Sequence, residues 1–197
     1  MKKGWIILIV VIAIVFLFVG RIIGTYNTLV ELDENTNSAW AQVNNQYQRR
    51  ADLIPNLVNT VKGYASHEKE TFTEVTNARA KVGQLNISPE VLNNPQALKQ
   101  FQNVQGEISS ALTKLMAVSE RYPDLKANQN FMALQNQLEG TENRIAVERK
   151  RFNETVQMYN KRIRRFPTSM IAGMFGFDKK YYFEAEAGSD KAPEVKF

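Results

Sequence analysis

Hydrophobic spacing changes character along this chain. Residues 4–20, GWIILIVVIAIVFLFVG, carry no polar side chain, so the segment has no face that could look into water. A run of that kind is a membrane-crossing helix or a cleaved leader. Its 17 residues span about 25 Å as a helix, slightly less than a hydrocarbon core of about 30 Å. Ile22, Ile23 and Gly24 lengthen the apolar path past Arg21, whose side chain can snorkel to the headgroups, and Trp5 and Tyr26 then stand about 31 Å apart as interfacial anchors. Lys2 and Lys3 would suit a leader. Arg21, however, interrupts the approach to any cleavage site, and Gly24 has Ile22 two places before it, so the segment reads as a permanent anchor.

Beyond Tyr26 the spacing becomes that of packed helices. Counting a and d positions from Trp40 gives Trp40, Val43, Tyr47, Arg50, Ile54, Leu57, Val61, Tyr64, Glu68, Thr71, Val75, Ala78, Val82 and Leu85, of which 11 of 14 are apolar. This predicts one helix from about Leu29 to Leu85, kinked at Pro55. Ser88-Pro89 and Asn94-Pro95 are two helix starts. A second stripe follows through Leu98, Phe101, Ile108, Leu112, Leu115 and Tyr122, and Tyr122-Pro123-Asp124 stops it and caps the next. The third stripe runs Phe131, Leu134, Leu138, Ile145, Phe152, Val156, Tyr159, Ile163 and Phe166 and ends before Pro167. Only YYFEAEA near the C-terminus has any strand character. The fold class is all-α: an N-terminal transmembrane helix, then a long antiparallel up-down-up three-helix bundle with room for a short fourth helix. The divisions are an anchor at 1–26, an elongated bundle at 27–166, and an apolar segment with a flexible tail at 167–197.

Helix lengths carry the functional expectations. If the first helix rises to Leu85 and the second descends only from Pro89 to Tyr122, the first has no partner below about residue 52. Trp40, Val43 and Tyr47 would then be an unburied stripe and an interface, unless the shorter helices slide down to cover it. By the same reckoning Met170, Ile171, Met174, Phe175 and Phe177 emerge at the end far from the membrane. There they fold back as a plug, or touch a partner or a second bilayer beside Lys161, Arg162, Arg164 and Arg165. Arg50 and Glu68 occupy a and d positions, where charged groups fix register; the expected partners are Asp124 for Arg50 and Arg144 for Glu68.

Charge and composition narrow this picture. The formal charge is +5, but beyond Tyr26 there are 22 basic against 20 acidic residues, so a nucleic-acid partner is not expected. With no Cys and one His, thiolate sites, disulfides and His clusters are excluded. No phosphate loop, nucleophile elbow or dinucleotide fingerprint is present, and the carboxylates read as helix-dipole partners (Glu31, Asp33, Glu34) or as a solvated face (Glu142, Glu148, Glu154). Neither enzyme activity nor a cofactor, metal or small-molecule substrate is expected. Lys2, Lys3 and the amino terminus outweigh Arg21, which places the N-terminus in the cytoplasm and the bundle outside.

The stretches RRADLIPNLVNTVKGYASHEKETFTEVTNARA, YPDLKANQNFMALQNQLEGTENRIAVERKRFNETVQMYN and RRFPTSMIAGMFGF resemble the LemA family of bacterial membrane proteins. The resemblance implies one N-terminal membrane helix and a bundle of long antiparallel helices in a bacterial inner membrane. It brings no catalytic residues, and it implies an N-terminus outside, opposite to the charge reading. The expected function is a scaffold or adaptor that associates with the bilayer and with itself or another envelope protein. The alternatives are a membrane-remodelling or membrane-contacting oligomer, or an enzyme with an unrecognised carboxylate or lysine site.

Overall fold

The computed structural model describes residues 2–85 and 87–184. Helix α1, Lys2–Lys62, runs unbroken from the apolar segment into the bundle. It is followed by α2 (Lys69–Val82), a 3-10 turn at Pro89–Asn93, α3 (Pro95–Ser119), a single turn α4 (Pro123–Lys126), α5 (Gln129–Ile163) and α6 (Thr168–Phe175). Asn94 caps α3 through the amide N–H groups of Gln96 and Ala97, and Asn128 caps α5 through that of Phe131.

The first helix ends at Lys62 rather than continuing to Leu85. Gly63 follows the basic last turn, a helix-stop signal, and the chain reverses through residues 63–68 into α2. The break is invisible to a heptad count. The turn consumes about one heptad, so Val75 and Ala78 of the descending helix fall in phase with Val61 of the ascending one, and all three are buried. The short fourth helix is thus α2, and the bundle is up-down-up-down.

Ion pairs and ring contacts fix the directions. Arg50 meets Glu142, Trp40 meets Phe152, and Leu29 packs with Ile163, so α5 descends along α1. Lys81 meets Glu107 and Glu74 meets Lys114, so α3 rises along α2. Pro55 stays inside α1: it removes the N–H that Ala51 C=O would accept, and Arg79 of α2 supplies Nε–H to that carbonyl at 3.1 Å.

Trp40, Val43 and Tyr47 are 1 %, 0 % and 5 % exposed, so the stripe expected as an interface is core. The connection between α2 and α3 comes down over it. Trp40 Nε1 donates to Ile87 O at 2.9 Å, Phe101 of α3 lies 5.1 Å from the indole, and Phe183 of the C-terminal segment stacks on it at 5.8 Å. The expected register pairs are also replaced. Arg50, 1 % exposed, is held by Ser109, Glu142 and the side chain and carbonyl of Gln105 at 2.7–3.0 Å. Glu68 at the far apex meets Arg121 at 3.0 Å and accepts from Tyr122 Oη at 3.3 Å. Asp124 and Arg144 lie exposed, because splitting the first helix shifts every level on which those pairings rested.

Candidate membrane-facing site

With four long passes the chain returns to the end from which it left. α5, 35 residues or about 52 Å, finishes beside the first turns of α1 above the apolar segment. Lys161 and Arg162 occupy its last turn, where cations complement the carbonyl end of the helix dipole. The chain turns at Phe166-Pro167 into α6, which ends on Gly176 at φ +74°, a left-handed cap that a side chain would strain. Met174, Phe175 and Phe177 therefore sit at the membrane-proximal end. The expectation that they emerge distally is corrected, since it requires an odd number of long passes and α1, α2, α3 and α5 make four.

α6 contains no charged residue. Thr168, Ile171 and Ala172 form its buried side, and Leu29, Tyr159 and Ile163 complete that small core with Ile22, Leu32 and Phe177 at its edge. Phe175 and Phe177 hold Tyr26 between them at centroid distances of 4.9 and 5.7 Å. Beside exposed Ser169, the outward side of α6 presents Met170, 64 % exposed, and Met174, 74 % exposed, and Phe166 in the turn before it is 81 % exposed. On α1 the residues from Trp5 to Val19 are likewise bare, and no part of the most apolar window is covered. One apolar surface thus continues from the span of α1 onto the outer side of α6. Thr25 and Thr28, at this level, donate to the carbonyls of Arg21 and Gly24 at 2.9 Å, so neither hydroxyl needs water.

Cations stand beside the apolar surface, three of them lining one cleft. Arg21, Lys161, Arg162, Arg164 and Arg165 gather here, and no acidic residue occurs between Lys3 and Glu31 or between Glu154 and Asp178. Near an anionic leaflet each such charge contributes roughly 1 kcal/mol of attraction.

Residues 177–184 then climb back along α5 as an extended strap. Asn160 accepts from Lys180 N–H at 3.0 Å and donates to Lys180 O at 2.8 Å; Asn153 does the same for Phe183 at 2.9 and 3.0 Å. The spacing explains the fit. Seven helical residues rise about 10.5 Å, and three extended residues cover about 10 Å, so two asparagines a heptad apart meet strap residues three apart. Lys180, 4 % exposed, reaches Asp33 of α1 at 2.8 Å, and Tyr181 N–H donates to Leu92 O at 3.0 Å. Tyr159 Oη donates to Asp178 O at 2.9 Å; burial, with Asp33 and then Asp178 nearby, pushes its hydroxyl well above the ordinary tyrosine value of 10.0. The YYFEAEA stretch is therefore irregular strap through Glu184, and its remainder lies outside the described residues, as does GSDKAPEVKF. Asn153 and Asn160 were missed in the sequence, although amides repeated at heptad spacing on a helix were the available signal.

A larger cleft lies elsewhere, about 730 Å³ between α3 and α5 beside Arg50. Arg50 is already held there by Ser109, Gln105 and Glu142. Among the described residues no group of three or more His, Cys, Asp or Glu could hold a metal ion.

An apolar helix that runs without a joint into an antiparallel bundle, whose last helix returns to the foot of that span, defines a membrane-associated helical-bundle protein. The model of the LemA family matches residues 39–197, and the chain belongs to that family. It is 26% identical over 200 residues to Magnetosome protein MamQ 2 of Paramagnetospirillum magneticum, covering 93% of this chain and 74% of that protein. It is 26% identical over 208 residues to Magnetosome protein MamQ of Magnetospirillum gryphiswaldense, covering 96% and 76%. Protein LemA of Metamycoplasma hominis is 24% identical over 158 residues, covering 80% of this chain and 66% of that one.

Proposed function

We propose that the protein is a membrane-anchored scaffold whose bundle is held at a fixed angle to one bilayer because α6 is seated in the same leaflet that α1 leaves. The observation that carries this reading is the apolar surface continuous from the span of α1 to Phe166, Met170 and Met174. A two-point attachment, with Trp5 and Tyr26 at the two interfaces and Arg21 among the headgroups, turns the bundle into a stalk about 50 Å tall with a defined orientation. Such a stalk acts by association, with itself or with another envelope protein, and Met174, Phe175 and Phe177 serve it by gripping lipid. Two of the relatives are named magnetosome proteins. On this reading the protein is a single-pass inner-membrane protein with its N-terminus in the cytoplasm and its bundle outside, as Lys2 and Lys3 favour.

The test uses the full chain in lipid nanodiscs, which its lack of cysteine makes clean. Met174→Cys carrying an environment-sensitive dye is expected to be quenched by quenchers on lipid chains near the headgroups and shielded from aqueous iodide. Quenching by iodide alone would overturn the seating of α6. Labelling a cysteine placed instead at exposed Asp124 on the far apex, in intact cells with an impermeant reagent before and after the membrane is opened, decides the orientation.

The lipid-facing surface also favours a remodelling role as the second reading. A short helix wedged into one leaflet beside a span enlarges that leaflet, and vesicles carrying the protein would then become smaller and more curved as its density rises.

A further inference from the structure

At the foot of the bundle a cleft of about 490 Å³ opens between α1 and the turn from α5 into α6. It is lined by Gly20, Arg21, Gly24, Thr25, Arg162, Arg165, Phe166, Pro167 and Thr168. Its volume falls in the range of about 300–1,000 Å³ typical of small-ligand sites. We infer that this cleft binds the phosphate headgroup of a single anionic phospholipid, with Arg21, Arg162 and Arg165 as the phosphate-binding residues and Phe166 beside its acyl chains.

Four observations point to that occupant. Three guanidinium groups line one cleft whose lining contains no carboxylate, and among the described residues none of the three has an acidic partner within ion-pair distance. Like charges so placed repel until an anion joins them, and planar guanidinium groups suit the paired oxygens of a phosphate. Arg162 Nε is shielded from solvent and has no hydrogen-bond partner among the described residues, a donor with its acceptor still to come. Gly20 and Gly24 face open space where any Cβ would meet nothing within 4 Å, so the wall of the span is recessed at this level. The fourth observation selects lipid over a soluble phosphate. The cleft lies where the uninterrupted apolar run ends, at Gly20 and Arg21, and its rim is Phe166, an aromatic ring left 81 % exposed beside the span. A molecule entering there has its anionic end among arginines and its apolar end against Phe166 and the span, which is the layout of a phospholipid.

This inference rests on the seating of α6 and the span in one leaflet, and the experiment separates the two. The full chain is reconstituted in nanodiscs of phosphatidylcholine with a minority of phosphatidylglycerol, and the lipid retained after extraction is counted by native mass spectrometry. The Met174→Cys dye is read in the same samples. The expected result is one phosphatidylglycerol per chain, retained through washing with inorganic phosphate. In Arg162→Gln/Arg165→Gln that enrichment falls roughly tenfold or more, since each arginine contributes on the order of 1 kcal/mol against an anionic headgroup. Lysine at both positions keeps the charge but loses the paired donors, and is expected to restore only part of the enrichment. Arg165 is exposed, so Arg165→Gln alone serves as a variant whose folding is not in question. Loss of dye quenching would overturn the seating itself. Intact quenching with no preference for phosphatidylglycerol, or with equal loss in Lys126→Gln/Lys150→Gln far from the foot, would overturn the headgroup site alone. Displacement by inorganic phosphate would reassign the cleft to a soluble anion and overturn the lipid assignment.

Discussion

The two ends of this bundle are built to opposite plans. At the far apex the helix ends are closed by polar groups that satisfy one another: Glu68 with Arg121 and Tyr122, and Asn128 with both the amide of Phe131 and the hydroxyl of Tyr64. At the foot, α6 carries no charge on either side and leaves Met170 and Met174 bare, and the cations around it have no carboxylates among them in the sequence. The apex is finished by its own residues. The foot leaves apolar and cationic groups uncovered, and on the function proposed above a bilayer covers them.

The comparison is broken most forcefully at the small core under α6. Ile171→Asp buries a charge against Leu29, Tyr159 and Ile163 and is expected to cost about 3–5 kcal/mol. Hydrogen exchange should show α6 and the strap opening while the apex keeps its protection. Equal loss at both ends would mean that the bundle has no separable foot.

A smaller effect is expected where the strap ties the foot to the middle of the bundle. Lys180→Met leaves Asp33 without its buried partner and should lower stability by about 2 kcal/mol in urea titrations. Adding Asp33→Asn should return part of it, and a strictly additive double variant would mean that the two do not interact. At the apex, Glu68→Gln loses a pair of which Arg121 is 63 % exposed, so a change of only about 0.5–1 kcal/mol is expected, with α6 unaffected.

At neutral pH Tyr159→Phe is expected to cost about as little as Glu68→Gln, up to about 1 kcal/mol from the lost bond to Asp178. The foot should reveal this tyrosine in alkali. Its folded-state pKa is raised, so its contribution is fully present below the ordinary value of 10.0 and is lost as pH climbs above that value, where the unfolded chain ionises first. Wild type should therefore lose more stability than Tyr159→Phe above that pH, and parallel pH profiles would refute the burial of the hydroxyl.

Much of this architecture was legible in the residues. The run 4–20 is apolar on every side, so no packing choice was left to make about it. Asn94-Pro95 carries its helix start in two side chains, and the cap forms as those residues dictate. Trp40 and Arg50 were recognisable as members of one helical stripe because a heptad repeat is local, although Trp40 was expected at an open interface and is core. Their partners were not, since Phe183, Glu142 and Gln105 reach them across sequence separations that periodicity does not encode.

What the sequence determined by itself, then, was an anchor, an all-helical body and the face each helix turns inward, because side-chain polarity and backbone capping act within a turn or two. What only the tertiary structure decided was how many times the chain crosses the bundle. A turn at residues 63–68 that consumes one heptad leaves the hydrophobic period in step on both sides, so a reversal and a continuation look the same along the chain. That single reversal makes the number of long passes even. It brings Met170, Met174, Arg162 and Arg165 back to Arg21 at the foot instead of leaving them about 50 Å away.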